Sequence, residues 1–407
     1  MTPDPATRRR ILLALIAVQV LVHGCMAGTR LAVPLAALRD GRSPLWVGVL
    51  VGLFSAAPIL VSLAAGSLAD RRGYHHPARL GIGLAVVGAA LAAIGSLWPA
   101  ASIPFDAAAG LLCGSGANIA LIAMQRETGR LADDATGLKQ VFSWMGMAPA
   151  FANVVGPVVA GAAIDLAGFG VAFAAMAVIA LAAVPLLRRV PREQRAAPAE
   201  RRPATAAFGL LRAPGFPRLL FVNWLFSSSW EVHAFLVPIL GHERHLAASA
   251  IGLVLGAFAA AVTAVRFLLP VVAHRLRESH VLFVSMLGCA AVFAVYPFAD
   301  VAWKMGVLAV LLGIALGAVQ PMILTTLHQI TPHDRHGEAI ALRTLAINVS
   351  STLAPFAFGA VGAAFGTGAV FWAMAGGLVT GSPATRRVGH AVDAAAAAAA
   401  GLPPDAP

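Results

Sequence analysis

Charge is what this sequence has least of. Of 407 residues only 12% are Asp, Glu, Lys or Arg, against roughly 25% in a soluble globular domain. So little polar surface cannot cover the cores of a soluble chain this long, and the apolar excess must face something other than water. Cysteine is scarce too. Cys25, Cys113 and Cys289 each lie inside an apolar run, which argues against a disulfide framework and for small packing residues. No Gly-rich phosphate loop, Ser-centred nucleophile elbow or zinc-protease motif is present. A primary ATP-driven pump is therefore disfavoured, and the sequence implies no enzyme activity, cofactor or bound metal. The net charge of +11 comes from basic residues scattered between apolar runs, not from the clustered patch that nucleic-acid binding requires.

What is present is hydrophobicity, at 59% of residues. A membrane-spanning helix needs roughly 20 mostly apolar residues. Spans are expected near 11–36, 45–68, 79–99, 103–124, 139–163, 170–187, 217–240, 249–270, 280–298, 303–327, 340–363 and 366–383. The fold class is thus an all-α membrane protein of twelve transmembrane helices in two six-helix bundles. Arg8, Arg9 and Arg10 precede an apolar stretch too long for the h-region of a cleaved signal. The expected domains are a first bundle at 1–187, an Arg- and Pro-rich linker at 188–216, a second bundle at 217–383, and an unstructured cytoplasmic tail at 384–407. Lys139 and Lys304 are the only lysines. With the abundance of alanine, this points to a high-GC bacterial genome and hence to a bacterial inner membrane.

Basic residues set the orientation. With the N-terminus inside, the inner segments hold Arg8–Arg10, Arg71, Arg72, Arg79, Arg126, Arg130, Lys139, the linker arginines, Arg275, Arg277, Arg335, Arg386 and Arg387. The outer segments hold only Arg39, Arg42, Arg244 and Lys304. Both termini are therefore expected in the cytoplasm. His242 with His245 and His333 with His336 then fall on opposite sides of the membrane, so they cannot share a metal; they and His75-His76 read as solvated loops. An internal repeat is visible at a displacement of 204 residues. Val33-Pro34 falls on Val237-Pro238, Phe54 on Phe258, Arg71 on Arg275 and Lys139 on Arg343. Two copies with both ends on one side form parallel repeats about an axis along the membrane normal.

After the second span the chain reads Gly66-Ser-Leu-Ala-Asp70-Arg71-Arg72-Gly73. This resembles the cytoplasmic signature loop of the major facilitator superfamily, G-x-L-a-D-R-x-G-R-K. Tyr74 and His75 replace the final basic pair. Gly66 and Gly73 are expected to permit close helix approach and a tight turn. Asp70, an anion where insertion favours cations, is expected to act as a conformational latch at the N-terminus of the eleventh span, near Gly337–Ala341. A helix N-terminus favours an anion by roughly 0.3–1 kcal/mol. Arg71 could then pair with Glu338 or another rim carboxylate. In the fifth span Gly156-Pro157-Val-Val-Ala160-Gly161 resembles the G-P-x-x-G-G motif of export-type members, with Ala160 replacing one glycine. Physically, Gly-Pro kinks a helix and leaves a smooth packing face.

Polar groups inside spans are costly, which makes them candidates for a substrate or proton pathway. They are His23 and Arg30 in span one, Asp106 and Asn118 in span four, and Asn153 in span five. The second half adds Asn223, Glu231 and His233 in span seven, Arg266 in span eight, Gln320 in span ten and Asn348 in span eleven. Glu231 lies about 21 Å along its helix at 1.5 Å per residue, well inside a hydrocarbon core. The resemblance implies that spans one and seven face each other, so Glu231 and Arg30 are an expected pair. The sequence thus implies a secondary transporter working by alternating access. Its expected partners are a small amphipathic or hydrophobic molecule, protons and the lipid bilayer, and it is expected to be monomeric. Export is expected from the fifth-span motif. Uptake of a small metabolite is the alternative within transport, and a membrane-embedded sensor or enzyme the alternative outside it.

Overall fold

The computed structural model describes residues 5–129, 135–191, 209–213, 215–272, 277–331 and 335–399. Twelve α-helices carry the architecture, and no strand occurs among the described residues. In order they are α1 (Pro5–Arg39), α2 (Pro44–Arg72), α3 (His75–Gly95), α4 (Ser102–Gly129), α5 (Ala135–Leu181), α6 (Phe216–Glu243), α7 (Ala248–Val272), α8 (Glu278–Val295), α9 (Ala302–Gly317), α10 (Val319–Ile330), α11 (His336–Phe365) and α12 (Thr367–Ala399).

Among the described residues nine segments are long and apolar enough to cross a membrane. With α5 counted twice they account for ten of the twelve spans, and α6 and α12 are the remaining two. α5 contains two spans, separated at Gly168, where φ is 83° and ψ 175°; only glycine takes that conformation without strain. α9 and α10 form one. α6 falls short of the apolarity of its neighbours because Asn223, Ser227, Ser228, Ser229, Glu231 and His233 lie along it.

Prolines sit inside several of these helices, including Pro34, Pro58, Pro157 and Pro238. Each removes one backbone donor. At Pro58 the carbonyl left without that donor belongs to Phe54, and it lies against Gly114 of α4, where any Cβ would collide with it. The cysteines are free and buried. Cys25 and Cys113 both point their thiols at the Ala85 carbonyl, at 3.8 and 3.5 Å.

The chain forms two compact units, Met1–Ala199 with Val237–Ala260, and Glu200–Leu236 with Ala261–Pro407. This division differs from a cut at 188–216, because the end of α6 and the first half of α7 associate with the first unit. The reason is the contact with α5 described below. A second difference concerns the C-terminus. Residues 384–399, expected as unstructured tail, continue α12 as helix. Alanine has the highest helix propensity, so the run from Ala394 propagates an existing helix. Residues 400–407 and most of the linker, 192–208, lie outside the described residues.

Candidate functional site

In the first unit, α2 ends in the signature loop. Gly73 caps it with φ 67° and ψ −167°, so a non-glycine residue there would be strained. Gly66 differs from expectation: a Cβ built on it meets nothing within 4 Å. Arg71 is exposed, and an Arg72 Nη lies 3.1 Å from the His76 ring. Tyr74 is buried, and burial followed by the nearby Glu127 carboxylate pushes its phenol upward from the ordinary value. The side chains of Asp70 and Glu338 and those around Lys139 lie outside the described residues.

The fifth-span motif forms a seam. Gly156 faces α1, where a Cβ would stand 2.5 Å from the Gly24 carbonyl oxygen. Pro157, Gly161 and Asp165 recur every four residues and so share one face of α5. Against that face lie Ala248 and Gly252 of α7: a Cβ on Gly161 would strike the Ala248 carbonyl, and one on Gly252 the Pro157 carbonyl. One turn along, a Cβ on Gly256 would stand 2.8 Å from the Val158 side chain. The Asp165 carboxylate accepts hydrogen bonds from the backbone N–H groups of Ala248 at 3.0 Å and Ser249 at 2.8 Å.

Elsewhere in this unit a polar group gathers at one end of α1 and α4. Arg39 contacts Asp40 at 2.8 Å and lies 4.5 Å over the Phe169 ring. Ser102 donates to Asp40 at 3.5 Å. Asp106 is 2% exposed beside Ser102 and Asp40, and its Oδ2 has no hydrogen-bond partner among the described residues. Asn118 donates to Ser62 Oγ at 2.9 Å, tying α4 to α2 one turn beyond Pro58. His23 and Arg30 share α1, and Asn153 is half-buried on α5.

The second unit holds a denser cluster. Arg343 of α11 donates from Nε to Asn223 Oδ1 of α6 at 3.1 Å and from Nη2 to Gln320 Oε1 of α10. Ser228 and Ser350 approach to 3.4 Å, linking α6 to α11 a little farther along. Glu231 is 6% exposed on the same helix as Asn223. His233, expected on the pathway, is fully buried, with its Nε2 3.3 Å from the Tyr296 hydroxyl. Tyr296 in turn stacks on Phe371, so this histidine sits in an aromatic core. Arg266 is half-buried on α7, with its Nε unpartnered among the described residues. Asn348 lies half-buried on α11.

The family model for the Major Facilitator Superfamily matches residues 15–228 and 219–388, nearly the whole chain in two repeats. The chain belongs to the major facilitator superfamily. It is a multi-pass membrane transporter and not an enzyme. No curated protein matches the sequence. Solved structures share the fold. A POT family transporter in complex with 5-aminolevulinic acid superposes with a TM-score of 0.73 at 13% identity, over 91% of this chain and 94% of that one. The nucleoside transporter NupG gives 0.72 at 13%, over 93% and 99%. A bacterial homologue of the iron transporter ferroportin gives 0.70 at 14%, over 95% and 99%.

Within this superfamily member, the structure brings Asn223 and Gln320 together, two residues predicted separately, and does so through one that was not singled out. In the sequence Arg343 stands out only as the repeat counterpart of Lys139. Its signal is weak because an arginine near the end of a span looks like ordinary charge bias. Arg30 belongs to the first unit and Glu231 to the second.

Proposed function

We propose that this transporter is a proton-coupled exporter of a small amphipathic organic compound, acting as a monomer in a bacterial inner membrane with both termini in the cytoplasm. The observation that carries the export reading is the α5 seam. Of the residues that resemble the motif of export-type members, Pro157 and Gly161 lie against Gly252 and Ala248 of α7, and Gly156 lies against Gly24 of α1. Glu231 is the proton carrier in this reading, with Asp106 as the second acidic candidate. Asp70 and Arg71 serve as the cytoplasmic latch. The apolar character of most span residues favours an amphipathic substrate over a polyol.

The test has two stages. A growth-inhibition panel comparing overexpression with deletion identifies compounds handled by the protein. Purified protein in liposomes with an imposed proton gradient then gives the direction. Movement of compound against its gradient, opposite to the proton flow, is expected. Accumulation of the compound inside cells that a protonophore abolishes would reverse the assignment to uptake, the second reading.

A further inference from the structure

We propose that the Asn223–Arg343–Gln320 cluster is a binding site for the anionic head of an amphipathic substrate, a carboxylate or phosphate ester. This rests on the transport reading and adds the charge class of the cargo. Asn223 lies seven residues into α6 and Arg343 seven residues into α11, about 10 Å along each helix at 1.5 Å per residue. The two side chains meet at one level, and Gln320 reaches them from α10.

Both partners of the guanidinium are neutral amide oxygens, and no carboxylate pairs with Arg343 among the described residues. Arg343 is buried, and a buried guanidinium without a countercharge is costly. The hydrogen bond to Arg343 fixes the Asn223 amide with its oxygen toward the guanidinium. Its Nδ2, fully buried, is left with no acceptor among the described residues. One turn along the same face of α6, the Ser227 hydroxyl is also buried and unpartnered. The cluster thus holds one positive charge with an amide donor and a hydroxyl beside it. An oxyanion complements such a set, and its planar or tetrahedral oxygens suit the guanidinium fork. Val222 and Phe226, next to it on α6, are buried apolar side chains. In a cell negative inside, an anion leaving runs down the electrical gradient, consistent with export.

The probes share one body and differ in head: naphthalene-2-carboxylate, 2-naphthyl phosphate and 2-naphthylmethylamine. Thermal unfolding of the full-length protein in an uncharged detergent reads binding. Both anions are expected to raise the wild-type Tm by several degrees, and the amine to leave it unchanged. Arg343→Gln should raise the half-saturating anion concentration at least about tenfold. Asn223→Ala, which keeps the cation, should raise it about threefold or more. Lys304→Gln, at an exposed cation elsewhere, should respond as wild type. Equal stabilisation by amine and anions, no stabilisation by any probe, or wild-type anion response in either Arg343→Gln or Asn223→Ala overturns the site. If phosphatidylglycerol in mixed micelles stabilises where neither naphthyl anion does, the cluster is a lipid headgroup site and the substrate assignment falls. Liposome flux separates this proposal from the one it rests on. Anion binding through Arg343 without flux leaves the site and removes transport of that class. Flux of the amine alone leaves transport and removes the site.

Discussion

Asp165 and Ser249 are joined by a hydrogen bond of 2.8 Å from the backbone N–H of Ser249 to the carboxylate, so α7 is capped by a side chain 84 residues earlier in the chain. The neighbouring N–H of Ala248 uses the other oxygen. The first N–H groups of a helix have no partner within the helix, and a carboxylate there also meets the positive end of the helix dipole. With Pro157 and Gly161 on the same face, Asp165 fixes which turn of α7 rests on which turn of α5.

Asp165→Ala is expected to destabilise the protein by about 1–2 kcal/mol, the usual cost of losing a cap. Asp165→Asn, which still offers one acceptor oxygen, should cost less than the alanine variant. Thermal unfolding in detergent measures both. Equal loss in the two would mean that the carboxylate acts through bulk charge and not as a cap.

Gly161→Ala should cost about 1–3 kcal/mol by overpacking, since its Cβ would meet a backbone carbonyl that cannot swing away. Gly66→Ala is the matched control. Its Cβ enters open space, so stability should hold or rise by a few tenths of a kcal/mol as the unfolded chain loses freedom. Comparable losses in the two would show that the seam tolerates a methyl group.

Glu231→Gln keeps the shape of the side chain and removes its titration. Gradient-driven transport should be lost, while exchange at equilibrium and substrate binding remain. A variant that concentrates substrate at the wild-type rate would move proton coupling to Asp106 or His23.

Asp70→Asn should reduce transport several-fold with expression and insertion nearly intact, because Asp70 is an anion in a segment where insertion favours cations. Wild-type flux from the purified variant in liposomes removes it from the mechanism.

The twelve spans were legible because a bilayer imposes a length and an apolarity on every crossing, and both are properties of consecutive residues. The two repeats were legible for the same reason, and so was the break near Gly168, where the apolar runs of spans five and six separate. Side-chain partnerships were not. Arg343 finds its partners 120 and 23 residues away, and nothing in a linear pattern distinguishes it from the other arginines that sit near span ends. His233 reads as a polar intruder in an apolar helix, yet it sits against Tyr296 in an aromatic core. Asp165 reads as a span-end residue, yet it caps another helix. The alanine-rich end of α12 reads as low complexity, while its propensity continues the helix. The sequence by itself determined the membrane class, the number of helices and their pairing into repeats, since these follow from local hydrophobicity and spacing. Only the tertiary structure decided which polar groups meet, because a buried donor or cation is satisfied by whichever acceptor the packing of distant helices brings within about 3 Å.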